Sequence, residues 1–205
     1  TDNGNSEYVI IIRKNHSASE KTAAEELAAY LKKITDAEIP VKTDDEKKTD
    51  HEIVIGFTNR GGKGKKELGE EGFTIKTEGK RLFILGSEVR GALYGVYSFL
   101  EKCCGCRFYT DTCERVPKVN MLTVPEIDCT ELPGFEYRNV YWFAQGGEMI
   151  SAKLKNNGGM GHELTERVGG GINYIGSFCH TFPDLGETGN VWDMPCLSDE
   201  AMYQT

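Results

Sequence analysis

The stretch that most restricts the fold is a strand-like run followed by a helix that carries two glycines four residues apart. Arg81–Leu85 is an apolar run typical of a strand, and apolar residues then recur at helical spacing after Ser87, the predicted N-cap. Gly91 and Gly95 leave one face of this helix without side chains, which permits close approach to a strand. A second short strand is predicted over 105–109.

Strand and helix patterns alternate through the first 130 residues. Tyr8–Ile12 is continuously apolar, as expected of a strand buried on both faces. Ser17 and Glu20 fit a capping box for a helix that ends near Asp36, an Asp in the C-cap position that usually holds Gly. The other predicted strands are 39–41, 52–56, 72–77, 80–85 and 122–125. The order β-α-β-β-β-β-α-β predicts an α+β N-terminal domain, residues 1–130, in which two helices pack on a mixed sheet.

A change of pattern follows this domain. Proline and glycine punctuate residues 126–134, which is typical of a domain boundary. A strand over 135–143, a helix over 148–155 and a strand over 171–178 would be the opening of a TIM-type (β/α) barrel. Because a whole barrel takes about 250 residues, residues 131–205 are predicted to hold only its first units.

Composition excludes two classes of partner. The formal net charge is −8 and the pI is near 5.1, whereas non-specific nucleic-acid binding needs a basic surface. No apolar run approaches the ~20 residues of a membrane-spanning helix. The polar start, Thr1–Ser6, resembles that of a chain whose signal peptide or lipoprotein anchor has been removed. We therefore expect a secreted, periplasmic or cell-surface protein.

Four of the seven cysteines lie close together in the sequence: Cys103, Cys104, Cys106 and Cys113. Their spacing lacks the paired C-x2-C units of a zinc site, so no metal is predicted. A disulfide between Cys104 and Cys113 and buried free thiols both agree with the pattern. A cytosolic thiol or metal protein that uses this cluster is a third, weaker functional hypothesis.

The glycine-punctuated stretch also carries a family resemblance. Gly86–Leu100, closed by Gly105–Tyr109, resembles the small α+β domain that precedes the catalytic barrel in family 67 α-glucuronidases and their gut-bacterial relatives. It is also similar to the N-terminal domain of family 20 β-hexosaminidases. The resemblance implies a carbohydrate-active protein, part of an α-glucuronidase-like glycoside hydrolase that acts on plant or host glycans. An oligosaccharide or polysaccharide is the implied substrate, and the remaining barrel of the parent protein is the implied partner.

The resemblance also points to residues of a sugar pocket. A His-Thr-aromatic triplet lines the pocket in the resembling family, and His180, Thr181 and Phe182 match it. Phe135-x-x-Arg138 resembles the opening of the hexosaminidase barrel, where the Arg binds sugar hydroxyls. The alternatives are a structural His180 and a surface ion pair between Arg138 and Glu136.

Aromatic residues supply one further candidate. Trp142 offers a stacking face for a sugar ring, although aromatic residues at strand spacing more often pack in a core. With this residue the predicted substrate-binding set is His180, Arg138, Thr181 and Trp142.

The catalytic carboxylates cannot be assigned within this chain. Glycoside hydrolysis uses two carboxylates about 5 to 10 Å apart, and in the resembling families they come from later barrel strands, beyond Thr205. Residues 60–66 depart from a phosphate-binding loop, and His162-Glu163 lacks the second His of a zinc protease. No cofactor is therefore predicted. The alternative function is a non-catalytic glycan-binding or scaffold protein of the same architecture.

Overall fold

A computed structural model describes residues 1–61, 66–159 and 163–172 of the chain. Residues 1–171 form one compact unit. Its centre is a six-stranded sheet with the strand order β2-β1-β3-β5-β4-β8. The strands are β1 (Val9–Ile12), β2 (Val41–Thr43), β3 (Glu52–Ile55), β4 (Phe73–Glu78), β5 (Arg81–Gly86) and β8 (Asp128–Glu131). A separate two-stranded hairpin pairs β6 (Arg107–Phe108) with β7 (Glu114–Arg115).

The sheet is mixed, as predicted. Strand β1 pairs in parallel with β2 and β3, and β3 pairs in parallel with β5. Strand β4 runs antiparallel to both β5 and β8. All four residues of β1 and of β3 are buried, because the sheet is covered on both faces at its centre. This explains the unbroken apolar run that identified β1 in the sequence.

Two long helices cover one face of the sheet: α1 (Ala18–Thr35) and α2 (Gly91–Lys102). The capping box of α1 is confirmed, since the Ser17 hydroxyl accepts from the Glu20 amide while the Glu20 carboxylate accepts from the Ser17 amide. Asp36 ends the helix in the left-handed conformation, with φ 58°. Its amide donates to the Lys32 carbonyl, so a local hydrogen bond helps to hold a conformation that Asp adopts less readily than Gly.

The predicted close approach of α2 to the sheet is confirmed. A Cβ atom added at Gly95 would lie 2.7 Å from Ile84 Cγ2 and 3.2 Å from Phe73 Cβ. One added at Gly86 would lie 2.3 Å from the carbonyl carbon of Gly91. The glycines therefore let the helix backbone lie against β4 and β5 at a distance that any larger residue would prevent.

The predicted N-cap of α2 is wrong. The helix begins at Gly91 with Arg90 in the cap position, and no side chain caps it. The Ser87 hydroxyl donates instead to the Glu70 carbonyl, and the Ser87 carbonyl accepts from the Ala92 amide. An extra turn between Ser87 and the helix is needed because Arg90 is bound from the side by groups of other segments.

The last strand of the first domain is displaced from its prediction. Residues 122–125 form no strand, although Leu122 and Val124 pack against the main core. The strand is β8, which pairs with β4 from Phe73–Glu131 to Lys76–Asp128. Likewise, the short strand predicted over 105–109 is reduced to β6, in a separate hairpin. The side chains of Leu122 and Val124 are partly buried, and the backbone of Leu122 bonds that of Thr1 rather than a strand of the sheet. A composition signal cannot distinguish this arrangement from strand pairing.

The segment predicted to open the barrel is only partly as expected. The strand over 135–143 is wrong, since residues 135–142 are irregular and 143–145 form a single 3₁₀ turn. The Arg138 amide and carbonyl bond to Asn157 rather than to a neighbouring strand. The predicted helix is confirmed as α3 (Glu148–Lys153). The strand predicted over 171–178 falls almost wholly outside the described residues, and the division at residue 130 stays a prediction.

Within the described ranges, the structure contains no helix long and apolar enough to cross a membrane.

Gly95 provides a test of the helix–sheet contact. We expect Gly95→Ala to destabilise the protein by about 1 to 3 kcal/mol, because the added methyl overpacks the contact with Ile84. Without that contact, Ala in a helix interior would stabilise by up to about 1 kcal/mol, so the sign of the change is diagnostic. Gly134→Ala is the control, since nothing lies within 4 Å of its added Cβ. Urea unfolding measures both; a stabilised Gly95→Ala protein would contradict the packing described.

Candidate functional site

Two of the four predicted pocket residues, His180 and Thr181, lie outside the described residues. The other two occupy different environments. Trp142 is exposed, with 54% of its surface accessible. The Arg138 side chain is only 20% accessible and lies within a network of charged groups. The geometry around Arg138 therefore decides what this part of the protein can do.

The predicted partner of Arg138 is wrong. Its guanidinium does not pair with Glu136 but with Glu71, from Nη2 to Oε2 at 2.6 Å. Nε donates to the Lys155 carbonyl at 2.8 Å and Nη1 to the Phe135 carbonyl at 2.6 Å. Three of the five N–H groups of this side chain thus donate to protein acceptors within the described structure. The Arg138 side chain is therefore held by acceptors from three separate stretches of the chain rather than extended into solvent.

Glu71 is the centre of this network. Its side chain is only 8% accessible. Oε1 accepts from Arg90 Nε at 2.8 Å and from Asn157 Nδ2 at 2.8 Å, while Oε2 accepts from Arg138. We call these four residues, Glu71, Arg90, Arg138 and Asn157, the Glu71 hub. A buried carboxylate is costly unless charged donors surround it, and two guanidinium groups supply them here.

The turn before β4 places Glu71 at the start of α2. The Gly72 amide donates to the Leu68 carbonyl, and Gly69 has a positive φ of 55° within this turn. The Glu70 carbonyl accepts from the amides of Arg90 and Gly91, two of the donors left unpaired at the first turn of a helix. The turn therefore caps α2 with its backbone and presents the Glu71 carboxylate to the Arg90 side chain.

The hub also reaches the segment that follows α3. Arg90 Nη1 donates to the carbonyls of Gly169 and Gly170, at 2.9 and 3.3 Å. The Asn157 amide and its side-chain oxygen both bond the backbone of Arg138. Tyr94 of α2 donates to the Asn156 carbonyl at 2.9 Å, and burial raises its pKa well above the ordinary tyrosine value. Three later segments are thus attached to the first domain at one point.

A second charged contact ties α3 to α1 and the β6–β7 hairpin. Glu114 accepts hydrogen bonds from Tyr30, from Lys33 at 2.9 Å and from Lys153 at 3.1 Å. Burial by itself would raise the pKa of Glu114, but these three donors outweigh it and lower the pKa to about 2. Lys153 Nζ also lies 5.3 Å from the ring centres of both Tyr30 and Phe108. The Glu114 carboxylate therefore accepts hydrogen bonds from three neighbours at once.

Exposed aromatic side chains lie in the stretch between the Glu71 hub and the contact of Glu114. Phe135, Tyr141, Trp142 and Phe143 are 76, 54, 54 and 87% accessible. We call residues 135–143 the aromatic segment. Its end is held to the loop before β7, because the Asp111 amide donates to the Ala144 carbonyl and Gln145 Nε2 donates to the Tyr109 carbonyl. Trp142 is exposed, and its use as a stacking face stays a prediction.

The cysteine alternatives are now distinguishable. Cys104 and Cys113 are both free, so of the two alternatives the structure shows free thiols rather than a disulfide between them. Cys104 and Cys106 are buried in the main core, where burial raises the pKa of Cys106 to about 11. Buried thiols of this kind behave as small apolar side chains. Among the described residues, no group of three or more His, Cys, Asp or Glu side chains could hold a metal ion.

A cavity of about 700 Å³ lies elsewhere, where β1, β3 and β5 begin. Core residues Ile53, Leu82 and Phe99 contribute to its lining, and His51 and Arg81 are among its polar residues. None of its lining residues belongs to the Glu71 hub or to the aromatic segment. Sequence reasoning gave no signal for this cavity, because its walls come from many stretches that are far apart in the chain.

Comparison with known proteins identifies the first domain. It is a glycoside hydrolase-related domain: residues 4–99 match the family described as the glycosyl hydrolase family 67 N-terminus. The resemblance inferred from Gly86–Leu100 is therefore confirmed. A search of the curated proteins found no match.

Solved structures show weaker similarity. One is a family 115 4-O-methyl-α-glucuronidase with specificity for decorated arabinogalactans, at 14% identity and a TM-score of 0.48, over 67% of this chain and 19% of that one. Another is the family 20 β-N-acetylhexosaminidase from Streptomyces coelicolor A3(2), at 16% identity and a TM-score of 0.43, over 64% of this chain and 23% of that one. The chain thus spans about a fifth of the length of these structures.

Two adjacent glutamates test the Glu71 hub. We expect Glu71→Gln to destabilise the protein by about 3 to 5 kcal/mol, because it removes the buried carboxylate that two guanidinium groups share, which leaves Arg90 with only the exposed Glu70 as an ion-pair partner. Glu70→Gln is the matched control: that side chain is 66% accessible and its ion pair with Arg90 is worth less than about 1 kcal/mol. Denaturant unfolding compares them. Equal losses in the two proteins would show that Glu71 does not hold the hub together.

The low pKa of Glu114 predicts a specific dependence of stability on pH. Because folding lowers this pKa from its ordinary value of 4.5 to about 2, Glu114 stabilises the fold above the unfolded-state pKa. That contribution is lost as the pH falls toward the folded-state pKa. The difference in melting temperature between the natural protein and Glu114→Gln should therefore be full at neutral pH and shrink steadily as the pH falls below about 4.5. A difference that stays constant across this range would contradict the assignment.

Proposed function

We propose that this chain is the N-terminal part of a carbohydrate-active protein, an α-glucuronidase-like glycoside hydrolase that acts on plant or host glycans. The observation that carries the proposal is the family match over residues 4–99. In this proposal the first domain braces a TIM-type barrel whose first units begin after residue 130. The protein would be secreted, periplasmic or at the cell surface, where extended glycans are met.

The Glu71 hub supports the bracing role. It contains one carboxylate, and two guanidinium groups already neutralise that carboxylate. Hydrolysis of a glycosidic bond requires two carboxyl groups on opposite sides of the bond, so the hub has the composition of a structural joint. What it joins is the first domain and the aromatic segment. The hub thereby fixes the direction in which the chain leaves the first domain.

The aromatic segment supplies the surface that the barrel would cover. Large exposed apolar side chains placed together in sequence are typical of an interaction site. Phe143, at 87% accessible, is the strongest example. Because the hub and the contacts of Asp111 and Gln145 hold both ends of the segment, its side chains would be presented to the barrel in a fixed arrangement.

The pocket itself is proposed from the resemblance. His180 and Thr181 would bind a sugar hydroxyl or carboxylate at the end of a barrel strand, and Trp142 would stack on a sugar ring. Arg138 would use its remaining N–H donors on the substrate, while its contact with Glu71 fixes its orientation. The catalytic carboxylates would come from barrel strands beyond Thr205.

A second function is favoured by the same exposed aromatic residues. If this architecture is used without catalysis, Trp142 and its neighbours would form a glycan-binding platform, since sugars stack on aromatic faces much as other rings do. The two functions differ in a measurable way. A binding module would recognise glycans through this chain alone, whereas the hydrolase needs residues that this chain does not contain.

Hydrolysis assays separate these functions. We expect this chain to be inactive on a panel of aryl glycosides and glucuronoxylan oligomers, and a longer form that includes a whole barrel to be active, because only the latter holds the carboxylate pair. If this chain and the longer form are both inactive, glycan binding by this chain would favour the binding module. That binding should be lost in Trp142→Ala and kept in Met121→Ala. Met121 is a suitable control because it is similarly exposed, at 62%. Activity of the short chain would show that the catalytic pair lies within it.

A further inference from the structure

Two half-buried cysteines occupy adjoining elements at the end of α2 opposite the Glu71 hub. Cys103 immediately follows the last helical residue and serves as the C-cap of α2. Cys129 lies in β8, directly opposite Ile75 of β4. Both thiols are free and of intermediate accessibility. Neither has a role in the hub or in the proposed sugar pocket.

The register of the sheet determines which way Cys129 faces. Residues opposite each other in a ladder project to the same face of the sheet. Ile75 is fully buried in the main core beneath the helices, so Cys129 projects to the helical face as well. Both Cys103 and Cys129 pack against that same core. The two side chains therefore lie in one layer, between α2 and the sheet.

Glu131 shows that the last turn of α2 lies over β8. It is two residues beyond Cys129 and so on the same face. Its Oε1 accepts from Lys102 Nζ at 2.7 Å and lies 3.4 Å from Ser98 Oγ, both on α2. Cys129 Sγ lies 3.9 Å from the same oxygen. Cys103 follows Lys102 directly, so it lies at the end of α2 that contacts Glu131.

Electrostatics agree with this proximity. Burial raises the pKa of Cys103, and the neighbouring Cys129 raises it further. The other described cysteines differ in placement. Cys104 and Cys106 are buried, and Cys113 is exposed next to β7.

We propose that Cys103 and Cys129 are a disulfide-forming pair, which links the C-terminal end of α2 to the edge strand β8 under oxidising conditions. Strand β8 pairs with β4 alone, so it is an edge strand of the sheet. It is also the strand from which the chain enters the aromatic segment. The disulfide would hold β8, from which the chain leaves the first domain, and the Glu71 hub would hold the segment that follows. This would stabilise the exported protein of the proposed function. The pairing itself does not rest on that function.

The chemistry is an exchange with an external disulfide such as oxidised glutathione. The thiolate of one cysteine attacks a sulfur of the reagent, forms a mixed disulfide and releases one glutathione thiolate. The second cysteine loses its proton and attacks the protein sulfur of that mixed disulfide, which releases the second glutathione. Two protein thiols are oxidised and one reagent disulfide is reduced to two thiols. Because the pKa values of Cys103 and Cys129 are both raised, with burial as the main cause, the reaction should accelerate with pH.

The test is oxidation of the whole chain with oxidised glutathione at about pH 8.5, near the ordinary thiol pKa. We expect the protein to lose two hydrogens, to retain no glutathione and to show two fewer free thiols than the seven of the reduced chain. Tryptic digestion without reductant should join peptide 103–107 to peptide 119–138, which contains Cys129 and no other cysteine. A reductant should then lower the melting temperature of the oxidised protein.

Variants locate the bond within peptide 103–107, which holds three cysteines. Cys103→Ser and Cys129→Ser should abolish the linked peptide and the effect of reductant, whereas Cys104→Ser and Cys106→Ser should keep both. The pairing is overturned if the linked peptide survives in Cys103→Ser. It is equally overturned if the natural protein gives stable glutathione adducts at Cys103 and Cys129 in place of a link. The peptide map of the natural protein decides the question even if a variant does not fold.

Discussion

The carboxylate of Glu71 is the group on which the arrangement of the described chain depends. It is buried, and it is neutralised by one guanidinium from the start of α2 and one from the segment after β8. A buried charge of this kind tolerates no loss of its partners, because an unpaired ion in a low-dielectric interior is far less stable than one in water. The first domain and residues 135–158 are therefore bound by a contact that is either complete or strongly unfavourable.

The position of the hub depends in turn on how closely α2 lies on the sheet. Gly86, Gly91 and Gly95 allow the backbone of the helix to contact β4 and β5 without intervening side chains. Arg90, just before the helix, is thereby brought to the turn that carries Glu70 and Glu71. At the other end, Lys102 and Cys103 are brought over β8 through Glu131. The start of α2 therefore contacts the turn that carries Glu71, and its end contacts β8, the strand from which the chain enters the aromatic segment.

Glu71 and Glu114 of the compact unit pair with other side chains of the same unit, which is relevant to its role. The carboxylates of Glu71 and Glu114 each accept three hydrogen bonds from other side chains of this unit. Such an arrangement suits a domain that positions its neighbour. The exposed aromatic side chains between the two contacts are the feature that the internal packing leaves unexplained, and a partner surface would account for them.

The sequence by itself determined the local structure of the first domain and its relationship to family 67. The buried strand at Val9–Ile12, the capping box of α1 and the close approach at Gly95 were all readable, because each depends on residues near one another in the chain. Only the tertiary structure decided that Arg138 pairs with Glu71, 67 residues away. It also decided that 135–142 is irregular and that β8 replaces the strand expected at 122–125. Those outcomes depend on which distant group satisfies a buried charge or a backbone amide, and no local pattern encodes that choice.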